Sequence, residues 1–529
     1  MQLLDASDCV PEWPSRFNLC EYYLDFNLEE GRGDKVCITC EGRTHTYASL
    51  HERVRRLTAS FRKLGLRPEE RVLIVLPDGL EFVETWFATL RAGGVFAMVN
   101  PLLKRDSYRA YLEYTKARIV VTSSEALAEL GPAVDETEWC EQLLVVGGEE
   151  GKYTSYERAM DEDPDSPLAA VAATGPDDLA GWLFTSGSTG MPKACVHVHS
   201  DFAYSTETYA KQVVGYREDD VCLGVPKLFF GYATGTNLMF PFRAGASVVL
   251  FPGRSTADEL LKHIREHSPT VLTSVPTMIN NMLRSEGLRK EDLASLRLCL
   301  SAGEALPARL YEEWMDFTGV EILDGIGSAE MFHIYISNWP GDVRLGSLGK
   351  LVPGYDAQVV DPEGNCVPDG EPGRLRVRGG STALCYWADK RKSRETFQGE
   401  WCTTADVFRR DENGYYYYEG REDDLLKVSG IWVSPLEIEN ALLTHPHVAE
   451  VCILGKEDDQ GLVKPIAFTV LAEGVSGTDE VAEELKQHVK QTLAPYKYPR
   501  WFEWRDSLPK NDRGKVARKV LREELTQEA

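Results

Sequence analysis

The chain has 529 residues, 43% of them hydrophobic and 27% charged; that is too long for one ordinary core and typical of globular domains. Its 58 Lys and Arg stand against 83 Asp and Glu, a net charge of −25, which argues against nucleic acid or an anionic membrane as a partner. An anionic ligand must be held by a local site that works against the overall field.

The first residues, Met-Gln-Leu-Leu-Asp-Ala-Ser-Asp, are acidic where a signal peptide is basic. No apolar run approaches the roughly 18 residues of a membrane span. A cytoplasmic protein with no membrane partner is expected. Of 12 scattered cysteines, only Cys37 and Cys40 are close neighbours. They sit in an apparent strand, and no second pair completes a metal site. Free thiols in a reducing compartment are the simpler reading.

From 46 to 170, helix-like and strand-like segments alternate. An amphipathic helix is expected at 47–64, a strand at 71–76, a helix at 80–92 with Phe82, Trp86 and Leu90 at near-helical spacing, and a strand at 95–99. The alternation resumes with helices at 256–267 and 276–285 and strands at 270–274 and 296–301. This pattern argues for parallel βαβ layers. Beyond 345, short strands at 355–360, 373–378 and 414–419 suggest a β subdomain. After a boundary near 420–424 comes a compact α+β unit. Its first helix starts at Ser434-Pro435, an N-cap followed by proline; strands at 449–454 and 464–471 and a helix at 479–493 follow. The expected fold is α/β: a large N-terminal domain (1–422) of layered α/β subdomains plus a β subdomain, then a small, mobile C-terminal α+β domain (423–529).

One stretch stands out. Residues 183–193 read Leu-Phe-Thr-Ser-Gly-Ser-Thr-Gly-Met-Pro-Lys. Backbone N–H groups, hydroxyls and one ammonium can wrap a polyphosphate in such a loop. It is not a Walker loop, because Met191 and Pro192 separate the last glycine from Lys193. Apparent strands flank it on both sides, at 181–184 and 194–198. A solvated Ser/Gly turn is the competing reading of this loop by itself. His197 and His199 form H-x-H on one face of the second strand, with no metal-ligand pattern beside them.

Distant segments fit the same pattern. The loop 185–193, Asp324-Gly-Ile-Gly-Ser-Ala-Glu330, Thr404-Ala-Asp406, Gly420-Arg-Glu-Asp-Asp424 and Gly514-Lys515 occur in the order and spacing of the ANL adenylating enzymes. The resemblance covers roughly residues 20–525. Lys227-Leu-Phe-Phe-Gly-Tyr232, Ser301-Ala-Gly-Glu-Ala-Leu-Pro307 and Asp324–His333 most resemble the benzoate–CoA ligase family, near the anthranilate–CoA ligases. The resemblance implies an AMP-forming ligase using ATP, Mg2+ and coenzyme A. An aromatic carboxylate, anthranilate or benzoate, becomes an acyl-adenylate and then a CoA thioester, releasing pyrophosphate and AMP. A stand-alone enzyme loading an aryl acid onto a carrier protein is the alternative.

The resemblance also assigns roles. Thr185, Ser186, Gly187, Ser188, Thr189, Gly190 and Lys193 hold the β- and γ-phosphates, and Glu330 binds Mg2+. Gly303, Glu304, Ala305, Asp324, Gly325 and Ile326 flank the adenine, and Asp406 and Arg421 take the ribose. Lys515 bridges the substrate carboxylate and the α-phosphate; as a residue by itself it reads more readily as one solvated lysine of a basic tail. Asp423 is the hinge, and Gly430 lines the thiol tunnel. Apart from the resemblance, Tyr496-Lys497-Tyr498-Pro499-Arg500 is a basic-aromatic turn that reads either as a site where Lys497 and Arg500 meet CoA phosphates or as an ordinary surface loop. Gly231, Tyr232, Phe240, Ala302, Gly303, Gly327, His333 and Ile334 enclose the ring. Gly231 stands near where α-amino acid enzymes carry an aspartate, which disfavours an amino acid substrate. Gly231 also gives more room than the alanine of benzoate ligases, and His333 is positioned to bond an ortho substituent, so anthranilate ranks level with or above benzoate. Two departures matter: Ala329 replaces the usual threonine before the glutamate, and Ala194 replaces a glycine.

Overall fold

The computed structural model describes residues 12–148, 152–185, 192–428, 431–459, 462–494, 496–510 and 516–528. Among these residues, two large sheets form the N-terminal domain. One runs in the order Lys350–Leu351, Ile334–Ser337, Ile322–Gly327, Leu298–Ala302, Val271–Ser274, Val221–Gly224, Ser247–Leu250, Val36–Cys40, Arg43–Thr46. The other runs Cys385–Tyr386, Lys193–Val198, Leu179–Thr185, Val95–Met98, Arg71–Val75, Ile119–Ser123, Gln142–Val146, Thr154–Ser155. Their central strands pair in parallel and are buried, as Val95–Met98 is throughout and Arg71–Val75 is beyond Arg71. Such strands read as continuous apolar runs because helices cover both faces.

The helices form where period and caps agree. Tyr47–Lys63 starts at Thr46, whose hydroxyl accepts from Ser49 N–H in a capping box. Leu80–Ala92 ends at Gly93 in the left-handed region. Ala257–His267 is capped by Thr256.

Strands Asp356–Val360, Pro372–Arg378, Trp401–Arg410 and Tyr416–Arg421, with the short strand Phe397–Gln398, form the expected β subdomain. In the smaller C-terminal domain, Val448–Glu457, Val463–Leu471 and Trp501–Trp504 form a three-stranded sheet. Helices Pro435–Leu443, begun by the Ser434 cap, and Asp479–Thr492 pack with that sheet around Ile438, Leu442, Leu485 and Val489. The fold is the α/β arrangement expected from the sequence.

Periodicity misplaced one feature. Strand Lys193–Val198 stops before His199, which opens helix His199–Ser205. The two histidines therefore do not share a strand face. His199 Nδ1 accepts from Leu19 N–H at 3.2 Å, and His197 bonds Asp201. The carboxylate that completes the His197 pair lies four residues on, beyond the reach of a strand pattern.

Candidate active site

The loop joining strand Ile322–Gly327 to strand Ile334–Ser337 is the centre of the site. The strands are antiparallel, with Gly327 opposite Ile334, so residues 328–333 form a hairpin connection. Ala329–Met331 makes one 3-10 turn, and Phe332 then takes φ 62° and ψ −55°. His333 N–H donates to the Met331 carbonyl at 2.7 Å. A three-residue turn with positive φ at a non-glycine residue is rare and strained. Burial of the Phe332 ring, edge-on to Phe202 at 4.6 Å, holds it. Gly327 permits the closure, because a Cβ there would lie 2.4 Å from the His333 carbonyl oxygen.

Glu330 sits in this turn, half-buried. Its Oε1 accepts from the Tyr386 hydroxyl at 2.5 Å, and its carbonyl accepts from Ala383 N–H at 2.8 Å. Burial and then the Glu330 charge push the Tyr386 phenol far up. The Lys193 ammonium lies 5.5 Å from the centre of the Tyr386 ring. Thr185 pairs directly with Lys193, so the ends of the glycine-rich loop are pinned together. Ser186, Gly187, Ser188, Thr189 and Gly190 lie outside the described residues. Tyr386 escaped the sequence reading because its place depends on strand Cys385–Tyr386 adding to the edge of Lys193–Val198.

Oxygen donors here suit a hard cation. Besides the Glu330 carboxylate, the Ser328 hydroxyl is buried with no hydrogen-bond partner among the described residues. The donor set fits Mg2+.

Strands Leu298–Ala302 and Ile322–Gly327 are parallel neighbours, with Ser301 opposite Asp324 and Ala302 opposite Gly325. Gly303, Glu304 and Ala305 thus meet Asp324, Gly325 and Ile326 at the carboxyl ends of parallel strands, where ligands bind in open α/β sheets. The Glu304 carboxylate accepts from Thr277 N–H and hydroxyl at 3.1 and 2.8 Å, which anchors helix Pro276–Leu283. Burial pushes the Asp324 carboxyl up to about 8, against the backbone N–H bonds that favour its charge. Asp406 and Arg421 face each other on paired strands, Nε to Oδ1 4.0 Å.

His333 is buried in an aromatic cluster. Ring centres of Tyr209, Tyr232 and Phe240 lie 5.4, 5.4 and 4.6 Å from its own. Burial lowers its pKa to about 3, so the ring is neutral. Nε2 donates to the Tyr232 carbonyl at 3.1 Å, which leaves Nδ1 an acceptor. Nδ1 and the Tyr232 hydroxyl are both buried without a hydrogen-bond partner among the described residues. Ala302 and Ile334 are buried in the same large hydrophobic core as Phe240. Gly231 opens helix Gly231–Thr234, and a Cβ there would stand 3.3 Å from Leu183. Tyr209 was missed in the sequence; it lies on the π-helix Thr206–Val214, whose wider turn defeats counting by 3.6.

In the C-terminal part, Asp423 lies in the 3-10 turn Glu422–Asp424, its carbonyl accepting from Arg522 at 3.3 Å. The Lys497 ammonium pairs with Glu437, and the Arg500 guanidinium stacks 3.9 Å from the Tyr498 ring centre. Gly430 and Lys515 lie outside the described residues.

Away from this site, two groups among the described residues gather metal-ligand atoms within 4.8 Å: His263, Glu266 and His267, and His445, His447 and Glu484. In the second, His445 Nδ1 accepts from His447 N–H at 3.2 Å, which puts its proton on Nε2, 3.3 Å from Glu484.

The AMP-binding enzyme family matches residues 27–387, and the AMP-binding enzyme C-terminal domain matches 437–515. The chain belongs to the AMP-binding enzyme family. This family member is 41% identical to a benzoate–CoA ligase of Thauera aromatica, over 99% of each chain. A benzoate CoA ligase from Burkholderia xenovorans LB400 matches 96% of it and 100% of its own chain, at 41% identity and TM-score 0.88. An anthranilate CoA ligase solved with anthranoyl-AMP matches 99% of it and 100% of its own chain, at 37% identity and TM-score 0.93. Among the described residues no helix is long and apolar enough to cross a membrane.

Proposed function

We infer that this AMP-binding enzyme is an ATP-dependent aryl–CoA ligase. A substrate carboxylate oxygen attacks the α-phosphorus of ATP and expels pyrophosphate. The CoA thiolate then attacks the acyl carbon and expels AMP. Charge builds on the transferring phosphoryl group, so catalysis is positioning plus electrostatic stabilisation.

In this reading Thr185, Lys193 and the intervening loop hold the β- and γ-phosphates. Glu330, with Ser328 beside it, holds Mg2+, which when bound supplies positive charge against the phosphates. Asp406 and Arg421 take the ribose, and Lys515 bridges the carboxylate and α-phosphate. The chain divides at 422/423, and the C-terminal domain turns about Asp423 between the half-reactions. Gly430 lines the thiol path, with Lys497 and Arg500 toward the CoA phosphates. The free cysteines, most of them buried, suit a reducing cytoplasm.

The observation that carries the choice of acid is the pair of unpartnered polar atoms in the aromatic cluster, His333 Nδ1 and the Tyr232 hydroxyl. A buried acceptor left unpaired costs about 1–3 kcal/mol. A ring bearing an amino or hydroxyl donor satisfies it, and benzoate does not. This supports the reading that ranks anthranilate level with or just above benzoate. Pyrophosphate release across benzoate, 2-aminobenzoate, hydroxybenzoates, cinnamates and medium-chain fatty acids tests this. Preference for a fatty acid would overturn the aromatic slot, and turnover with a holo carrier protein but not with CoA would overturn the thiol acceptor.

A further inference from the structure

The Ala329 carbonyl, one residue before Glu330, accepts the His197 Nε2–H at 2.7 Å. The same carbonyl accepts Phe332 N–H at 3.4 Å, so His197 grips the atom on which the 3-10 turn closes, just before the strained reversal at Phe332. His197 is fully buried, and its Nδ1 meets Asp201 Oδ2 at 2.8 Å. Asp201 is itself buried and also accepts Val198 N–H at 3.2 Å. A carbonyl oxygen only accepts, so Nε2 carries a hydrogen, and Asp201 fixes the orientation of the ring from the other side.

The bond joins the two large sheets. His197 belongs to strand Lys193–Val198, and Ala329 follows strand Ile322–Gly327. Along Lys193–Val198 side chains alternate, so Lys193, Cys195 and His197 share a face. Lys193 lies by the Tyr386 ring, Cys195 packs against Tyr386 and Ala383, and His197 holds Ala329. The strand that ends the glycine-rich loop thus also braces the turn that carries Glu330. A second bond holds the turn: the Ser381 hydroxyl donates to the Met331 carbonyl at 2.8 Å and is bonded to the Tyr355 hydroxyl at 2.7 Å.

We propose that His197, oriented by Asp201, is a positioning residue that sets the Glu330 turn for metal and nucleotide, with Ser381 as a second brace. This rests on the reading of Glu330 as the Mg2+ carboxylate.

Two amide substitutions separate the bonds of His197. His197→Gln places an N–H near the Nε2 position and keeps the Ala329 contact. His197→Asn reaches Asp201 but not Ala329. Binding is read by the electron paramagnetic resonance signal of free Mn2+, titrated with protein and a non-hydrolysable ATP analogue. Rates of adenylation and of thioester formation from supplied acyl-adenylate are measured beside it. His197→Asn should weaken Mn2+ binding and slow adenylation each by about ten-fold or more, the range for groups that orient a metal ligand, and leave thioester formation within about two-fold. His197→Gln should stay within about three-fold throughout. Ser381→Ala carries the test if His197→Asn does not fold, and must show the same selective loss. Glu330→Gln is the control. If it leaves Mn2+ binding unchanged, the metal reading itself fails. If it weakens binding while His197→Asn and Ser381→Ala do not, or if Gln and Asn at 197 lose equally, the positioning role is overturned.

Discussion

The hydroxyl of Tyr386 donates to the carboxylate of Glu330 at 2.5 Å. One phenol thus links the strand beside Lys193 to the turn that carries the proposed metal ligand. A hydrogen bond to a charged group contributes about 1.5–3 kcal/mol. Tyr386→Phe should therefore slow adenylation by about ten-fold and raise the Mg2+ concentration for half-maximal pyrophosphate release, with thioester formation from supplied acyl-adenylate preserved.

Lys515→Ala tests the other half of the charge stabilisation. Removing one group aimed at developing charge costs about 10²–10³ in rate. Pyrophosphate release should fall by that factor, and CoA capture of supplied acyl-adenylate should hardly change. Equal loss in both steps would remove Lys515 from its assigned place.

Gly231→Ala narrows the slot beside Leu183. One methyl group in a tight pocket changes discrimination by about 1–3 kcal/mol. The variant should lose kcat/KM for 2-aminobenzoate about ten-fold more than for benzoate, read in competition between the two acids.

His333 gives the protein a pH signature. Its folded pKa is about 3, against an ordinary value of 6.5. Between those values the unfolded chain binds a proton that the buried ring refuses, so stability is present above pH 6.5 and is lost as pH falls toward 3. His333→Gln removes this contribution. The drop in Tm between pH 7 and pH 5 should be smaller in the variant than in the parent, by thermal unfolding at both values.

Much of the architecture was legible in the sequence because local signals agree with the fold. Leu80–Ala92 shows its period and ends at a glycine, and Ser434-Pro435 announces its helix. Of the candidate site, the hairpin ends Thr185 and Lys193 and the 324–334 segment could be located by motif. Tyr386, Tyr209 and the His197–Asp201 pair could not. Tyr386 reaches Glu330 across 56 residues by edge pairing, Tyr209 sits on a π-helix, and His197 acts through a backbone carbonyl in another sheet. None of these leaves a periodic or spacing signal. The reversal at Phe332 is hidden for the same reason: the residue is an ordinary core aromatic until the packing around it forces a positive φ.

That reversal has an evolutionary consequence. Only two residues separate Glu330 from His333, and no slack remains in the chain between them. A substitution that shifts residue 333 to suit a different ring also moves the nucleotide end of the same turn. If the proposed slot is right, new acid preferences should be more accessible through Gly231 on its short helix than through His333, where altered selectivity should carry a change in ATP use with it.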